Sequence, residues 1–181
     1  MSICCTPCTH SMDAIVHSLQ LNPKSPTTID SALAVLISYL GLTVDSAVHL
    51  KYSRPLGFEP EIDYCHFNVW YQLREGGGKP QPGWILAQDR PQSFSEAIFH
   101  SVWQHPEGRL VDVTPRKDNE KRLLFVPDNT RSITLASHDG KPAIHTFDNV
   151  RFLGNSLITP LTKITAVMEG NFPERHGLWP W

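Results

Sequence analysis

The sequence has no long hydrophobic run and almost no net charge. None of its apolar stretches reaches the roughly 18–20 residues that a helix needs to cross a bilayer. The formal net charge is −2, so the composition offers no excess of basic residues for nucleic acid or anionic lipid. The first residues also lack the basic start and apolar core of a secretory signal. We therefore expect a protein that binds neither membranes nor nucleic acid.

Cysteine is scarce and badly placed for disulfides. Three of the four cysteines lie within the first eight residues, and Cys65 stands alone. Neighbouring cysteines rarely form good bridges, so we expect a reducing, cytoplasmic location. The N-terminal group could bind zinc, but its terminal position and the lack of a second ligand pair favour a flexible tail over residues 1–9. Its members are Cys4, Cys5, Cys8 and His10.

The composition is that of an ordinary globular protein. Hydrophobic residues make up 40% of the 181 residues and charged residues 19%. This length suits a single domain with a real core, and neither an internal repeat nor a low-complexity linker divides it. Predicted helices come first and predicted antiparallel strands follow, which favours a single α+β domain over residues 1–181.

Three helices are predicted in the first 75 residues. Helical spacing marks residues 12–19, and a second helix is expected from Ile29 to Leu40, with Thr27 or Thr28 as its cap and Gly41 at its end. The third runs from Tyr64 to about Arg74, with Asp63 as the N-cap. It stops before three consecutive glycines, residues 76–78.

Strands are predicted over most of the remaining chain. The expected segments are 47–52, 84–87, 99–103, 108–115, 122–126, 132–136 and 143–147. Residues 93–97 are expected to form a short turn, and Asp139-Gly140 a tight hairpin turn. Residues 157–169 are expected to form a closing helix, followed by a tail over 171–181.

One predicted hairpin carries a histidine and an aspartate. A four-residue connection, 105–108, pairs Gln104 with Arg109 and brings His100 almost opposite Val113, one position from Asp112. A carboxylate beside an imidazole fixes its tautomer and stabilises its charged form, as a nucleophilic site requires. Cys65, at the start of a predicted helix, is the candidate nucleophile.

The chemistry expected of such a site depends on the protonation state of the cysteine thiol. A cysteine with a pKa near 8.5 is mostly protonated at neutral pH, and a helix N-terminus and an imidazolium both lower that value. The backbone N–H of Cys65 is a natural oxyanion donor. Further oxyanion or substrate-binding candidates are Asn68, Tyr64, Trp84 and Trp103. On a helix His66 points about 100° away from Cys65 and is expected to lie outside the site.

The order of these residues resembles the transglutaminase-like branch of the papain-like cysteine enzymes. The resemblance spans residues 60–116 and is carried by Asp63-Tyr64-Cys65, by the segment 100–103 (His-Ser-Val-Trp) and by the segment 108–115. It implies a papain-like α+β core with Cys65, His100 and Asp112 as a catalytic triad. The implied reaction is acyl transfer through a thioester, from a protein, peptide or small amide to water or an amine. It requires neither a metal nor an organic cofactor.

Two other classes of protein fit the same residues. Cys65, His100 and Asp112, with or without His66, could instead be ligands of zinc or iron. Alternatively, the chain could be a non-catalytic binding protein with the same fold.

Overall fold

The computed structural model describes residues 19–55, 57–117, 119–168 and 172–177. Within them the chain forms helices α1 (Ser31–Tyr39), α2 (Cys65–Gly76) and α3 (Phe172–Arg175), and a short 3₁₀ helix at Val44–Ser46. The strands are β1 (Val48–Lys51), β2 (Lys79–Asp89), β3 (Phe94–Gln104), β4 (Leu110–Val111), β5 (Arg122–Pro127), β6 (Thr134–His138), β7 (Lys141–Phe147), β8 (Val150–Leu153), β9 (Ser156–Thr159) and β10 (Lys163–Val167).

The strands form two antiparallel sheets. The larger has the order β1-β5-β2-β3-β8-β9, with β4 also paired to β3, and the smaller has the order β10-β7-β6. The sheets are arranged in the manner of a β-sandwich, and Phe99 of β3 meets Phe147 of β7 with ring centroids 5.0 Å apart. The expected α+β class, with N-terminal helices followed by a sheet and a papain-like or transglutaminase-like core, is therefore wrong.

Two segments account for most of this difference. The predicted turn at 93–97 belongs largely to β3, so β2 and β3 pair over eleven residues each, from Lys79 opposite Gln104 to Asp89 opposite Phe94. The predicted helix at 157–169 is replaced by β9 and β10. The second segment is rich in β-branched Ile, Thr and Val and is interrupted by Pro160, and both features favour strand over helix.

Helix α1 packs on the larger sheet and forms the main core. Its buried residues Leu33, Leu36 and Ile37 share a cluster with Trp84 and Phe99. The expected caps, Thr27 and Thr28, are wrong: Asp30 is the N-cap, and its carboxylate accepts from the Leu33 amide.

The predicted end of α1 is confirmed. Gly41 has a φ of +75°, and the amides of Gly41 and Leu42 bond back to the carbonyls of Ser38 and Ile37. This is the Schellman arrangement, which satisfies carbonyls at a helix end and favours glycine at the left-handed position.

Several other predicted elements are confirmed. Strands β1, β5, β6 and β7 overlap the segments expected, and Asp139 and Gly140 have φ values of +51° and +72°, as a tight hairpin turn requires. The helix expected at 12–19 and the N-terminal cysteine cluster lie outside the described residues, except for Leu19. Among the described residues, no helix is both long and apolar enough to cross a membrane.

Candidate active site around Cys65

The hairpin between β3 and β4 sets the relation of His100 to Asp112. The expected pairing of Gln104 with Arg109 is wrong by one residue, because Gln104 pairs with Leu110 and Trp103 with Val111. A shift of one residue moves every side chain of a strand to the other face. Continued along the chain, the observed register puts Asp112 on the same face of the sheet as His100, whereas the expected register would have put it on the opposite face.

The imidazole of His100 and the carboxylate of Asp112 form a buried pair. Nε2 of His100 lies 3.0 Å from Oδ1 of Asp112, and the same oxygen accepts from the Thr114 amide at 3.1 Å. Asp112 is fully buried, and no hydrogen-bond partner within the described parts of the chain reaches its Oδ2. The positive charge of protonated His100 therefore offsets most of the free-energy cost of burying the Asp112 carboxylate.

The edge of β3 is open where the site forms. Strand β8 pairs with β3 from Phe94 to Ala97, and β4 pairs with it at Trp103 and Gln104. Between these two pairings, residues 98–102 have no strand partner on that edge in the described parts of the chain. The start of α2 lies against this gap, where His66 bonds Ser101 and Cys65 bonds His100.

Helix α2 places Cys65 at its first position. The expected cap, Asp63, is wrong: it has a φ of +69° and its carboxylate forms an ion pair with Lys117, while Tyr64 occupies the N-cap position. Tyr64 makes no side-chain cap hydrogen bond. The positive end of the helix dipole therefore acts on Cys65 without a competing side chain at the cap.

The surroundings of Cys65 favour its thiolate. Burial by itself raises the pKa of the thiol, but the charges of His66 and His100, with hydrogen bonds from both rings, outweigh burial and hold that pKa well below its usual range. Burial likewise lowers the pKa of His100, but the charges of Cys65 and Asp112 prevail and raise it to about 10. Because Nε2 faces Asp112, Nδ1 is left for the sulfur. Both shifts therefore favour a thiolate–imidazolium pair at neutral pH.

His66 is the site residue that sequence reasoning missed. The residue is 7% exposed, its Nδ1 lies 2.7 Å from the Ser101 hydroxyl, and its Nε2 lies 3.4 Å from the hydroxyl of Thr146. Its charge also lowers the pKa of the Cys65 thiol. The side chains of adjacent helical residues normally point about 100° apart. Here Ser101 and Thr146, one from each sheet, bond the ring of His66 at the first turn of the helix, beside Cys65. No sequence spacing signals this, because Thr146 comes from the smaller sheet.

Asn68 holds the two walls of the site together. Its fully buried amide donates to the Glu61 carbonyl at 2.7 Å and to the Thr114 hydroxyl at 3.2 Å, and it accepts from the Glu61 amide at 3.1 Å. These bonds tie the loop before α2 to the segment after Asp112. The structure therefore uses Asn68 for positioning, and its donors are already engaged.

The other three candidates take up structural positions. The indole N–H of Trp84 donates to Asp128 in the core, and that of Trp103 donates to the Gly77 carbonyl at the end of α2. Tyr64 packs beside Phe67. The two tryptophans therefore offer no spare N–H to an oxyanion, and the Cys65 amide is the donor best placed by the helix.

A cleft of about 340 Å³ opens onto the sulfur. The reactive side chains that line the cleft are Cys65 and His100. Its floor includes Ile85 and Ile98, and its walls include Ile62 and Pro115. A volume of this size lies at the lower end for small-molecule sites. Cys65, which is 8% exposed, thus lines a small and mainly apolar cleft.

The alternative of a metal centre was tested by geometry. No group of three or more His, Cys, Asp or Glu side chains in the described ranges is arranged to hold a metal ion. Nε2 of His100 faces Asp112 and both ring nitrogens of His66 face hydroxyls, so three of the four ring nitrogens are already engaged within the protein.

Comparison with known proteins adds no relative. No protein-family model, curated protein or solved structure matches this chain. The resemblance to transglutaminase-like enzymes thus depends only on the short sequence segments that carry it and on the order of Cys65, His100 and Asp112.

Proposed function

We propose that the protein is a thiol-dependent acyl-transfer enzyme with Cys65 as nucleophile, His100 as acid and base, and Asp112 as the group that orients His100. One observation carries the proposal: a cysteine at a helix N-terminus lines the same cleft as an imidazole that is itself bonded to a buried carboxylate. Each of these features favours a thiolate, which is the reactive form of cysteine.

The proposed reaction has two halves. In the first, the sulfur attacks the carbonyl carbon of an amide, and the carbon–nitrogen bond breaks as His100 gives its proton to the leaving amine. A thioester on Cys65 remains. In the second, water or another amine attacks the thioester, passes a proton to His100, and releases the sulfur as thiolate. The Cys65 amide at the start of α2 stabilises the oxyanion in both halves.

The substrate under this proposal is a protein, peptide or small amide, and no cofactor takes part. A free thiolate also requires a reducing compartment, so a cytoplasmic location belongs to the proposal.

Alkylation by iodoacetamide near pH 6 tests this function. The protein used carries Ser at positions 4, 5 and 8, so that Cys65 is its only thiol. Because the thiolate persists below the usual pKa of cysteine, we expect fast modification of Cys65, measured by intact mass, at a rate at least ten-fold above that of a free cysteine thiol at the same pH.

Two variants serve as controls for this experiment. The Cys65→Ala variant should fold, gain no mass and hydrolyse no amide or ester substrate. The His100→Gln variant should fold and be alkylated markedly more slowly than the wild type, because it loses one of the two charges that lower the thiol pKa. An unchanged rate in His100→Gln, or a wild-type rate no higher than that of the free thiol, would contradict the proposal.

A further inference from the structure

We infer that the cleft beside Cys65 receives an acyl group with an aliphatic side chain next to the carbonyl carbon. The inference rests on the proposed acyl transfer and adds its substrate class: amides and esters of apolar amino acids, in preference to those of glycine or of acidic residues.

Strand register places an apolar surface next to the reacting atoms. Ile85 of β2 and Ile98 of β3 are direct cross-strand partners, so their side chains lie on the same face of the sheet. His100 is two residues beyond Ile98 and shares that face, at a spacing of about 7 Å along the strand. A group attached to the carbon that the sulfur attacks therefore reaches the two isoleucines within the length of one side chain.

The walls of the cleft continue this apolar surface. Ile62 lies at the rim on the loop before α2, and Pro115 lies opposite on the segment after Asp112. Asn68 bonds both Glu61 and Thr114, the neighbours of these two residues in sequence. The walls are thus held at a fixed separation, and a side chain entering between them loses its contact with water.

The two basic residues that line the cleft are both paired with anions. Lys117 forms an ion pair with Asp63, which also lines the cleft, and Arg116 forms one at 3.5 Å with Glu120, which does not line it. Neither cation is therefore left unpaired to favour a negatively charged acyl group. Burial of apolar surface is then the main favourable contribution to substrate binding.

Acylation by p-nitrophenyl esters of N-acetyl amino acids tests the inference. In this reaction the sulfur forms a bond to the carbonyl carbon, the ester carbon–oxygen bond breaks, and p-nitrophenolate leaves with the electron pair. The N-acetyl-leucine, N-acetyl-glycine and N-acetyl-aspartate esters are compared, each rate being divided by that of free N-acetylcysteine. We expect the leucine ester to acylate Cys65 on the order of ten-fold faster than the glycine ester.

A matched pair of variants locates the effect. Ile62 and Leu157 are exposed to nearly the same extent, 40% and 39%, but only Ile62 lines the cleft. The Ile62→Ser change should reduce the preference for leucine over glycine by several-fold, and Leu157→Ser should leave it unchanged.

The outcomes separate this inference from the proposed function. Acylation of Cys65 at equal corrected rates by all three esters, or fastest by the aspartate ester, would overturn the apolar pocket and leave acyl transfer intact. An equal loss of preference in both serine variants would also overturn it. If no ester acylates Cys65, the proposed function fails, and the substrate class fails with it.

Discussion

Two histidine residues, His66 and His100, lower the pKa of the Cys65 thiol, and their separate effects can be measured. Replacing His66 by Gln removes a charge and a hydrogen bond that lower the thiol pKa, while His100 and Asp112 remain. We therefore expect the His66→Gln variant to show a higher thiol pKa than the wild type, seen as a shift of the alkylation rate-against-pH profile to higher pH. The variant should still be alkylated faster than a free thiol near neutral pH.

His138 provides the matched control for His66. It lies on β6, its side chain is 59% exposed, and it does not line the cleft. His138→Gln should leave the profile in place. If His66→Gln leaves it in place too, then His66 is only a packing residue.

Asp112 is expected to act through His100. Changing Asp112 to Asn keeps the size of the side chain, but its amide can present N–H to Nε2 and so stabilise the wrong tautomer of the imidazole. We expect Asp112→Asn to lower the acylation rate of Cys65 by roughly 10²- to 10⁴-fold, with the fold retained by circular dichroism. Full activity in a folded Asp112→Asn variant would show that Asp112 does not orient His100 for the reaction.

The residue types of the site are partly readable from the sequence. His100 and Asp112 were predicted from a hairpin pattern, and Cys65 from its position before a helix, and the structure brings all three together. The sequence could not fix the register of the hairpin, because its turn allows two pairings one residue apart. It also could not place His66, whose partners Ser101 and Thr146 come from two different sheets.

At the scale of elements, the start of α1 gives a direct test of the observed cap. Asp30 accepts from the Leu33 amide at 3.1 Å and from the side chain of Gln88 at 2.9 Å. We expect Asp30→Ala to lower the free energy of unfolding by about 1–2 kcal/mol, measured by urea denaturation. Thr28→Ala, at a position that the sequence suggested as cap, should change it by less than about 0.5 kcal/mol. The reverse order of the two effects would restore the sequence-based cap.

Secondary-structure elements could be predicted where the local sequence and the tertiary packing favour the same structure. The end of α1 at Gly41 and the turn at Asp139-Gly140 require left-handed backbone that few residues adopt, so sequence identifies them well. The prediction of a helix at 157–169 is wrong because the spacing of its apolar residues fits a helix, whereas its β-branched residues and its pairing with β7 and β8 favour strands. Pairing with distant strands is not visible in a local window.

For the whole molecule, the ion pair at the site links stability to pH. His100 has a folded pKa of about 10, against about 6.5 in an unfolded chain, so its contribution is complete below about 6.5 and is lost as the pH rises through 10. The lowered pKa of Cys65 changes stability with pH in the opposite direction. Its contribution to stability is complete above about pH 8.5 and is lost as the pH falls through the folded pKa.

These two effects offset each other between about pH 6.5 and 8.5, and only the histidine effect remains above that range. Asp112 also raises the pKa of His100 in the Cys65→Ala variant, so that variant loses stability from about pH 6.5 upward. We therefore expect the stability of the wild type relative to Cys65→Ala not to fall with rising pH below about 8.5. It should then fall as the pH rises from about 8.5 to about 10. Urea denaturation of both proteins across this range measures the difference. A relative stability that rises over that interval would contradict the thiolate–imidazolium pair.

The contacts of His66 also have a consequence for synthesis of the chain. Ser101 lies 35 positions after His66, and Thr146 lies 80 positions after it. A ribosome that has already made Cys65, His100 and Asp112 still has to produce the smaller sheet before the full set of partners exists. The complete electrophile-sensitive site therefore arises in a nascent polypeptide only after the segment that contains Thr146 has been synthesised.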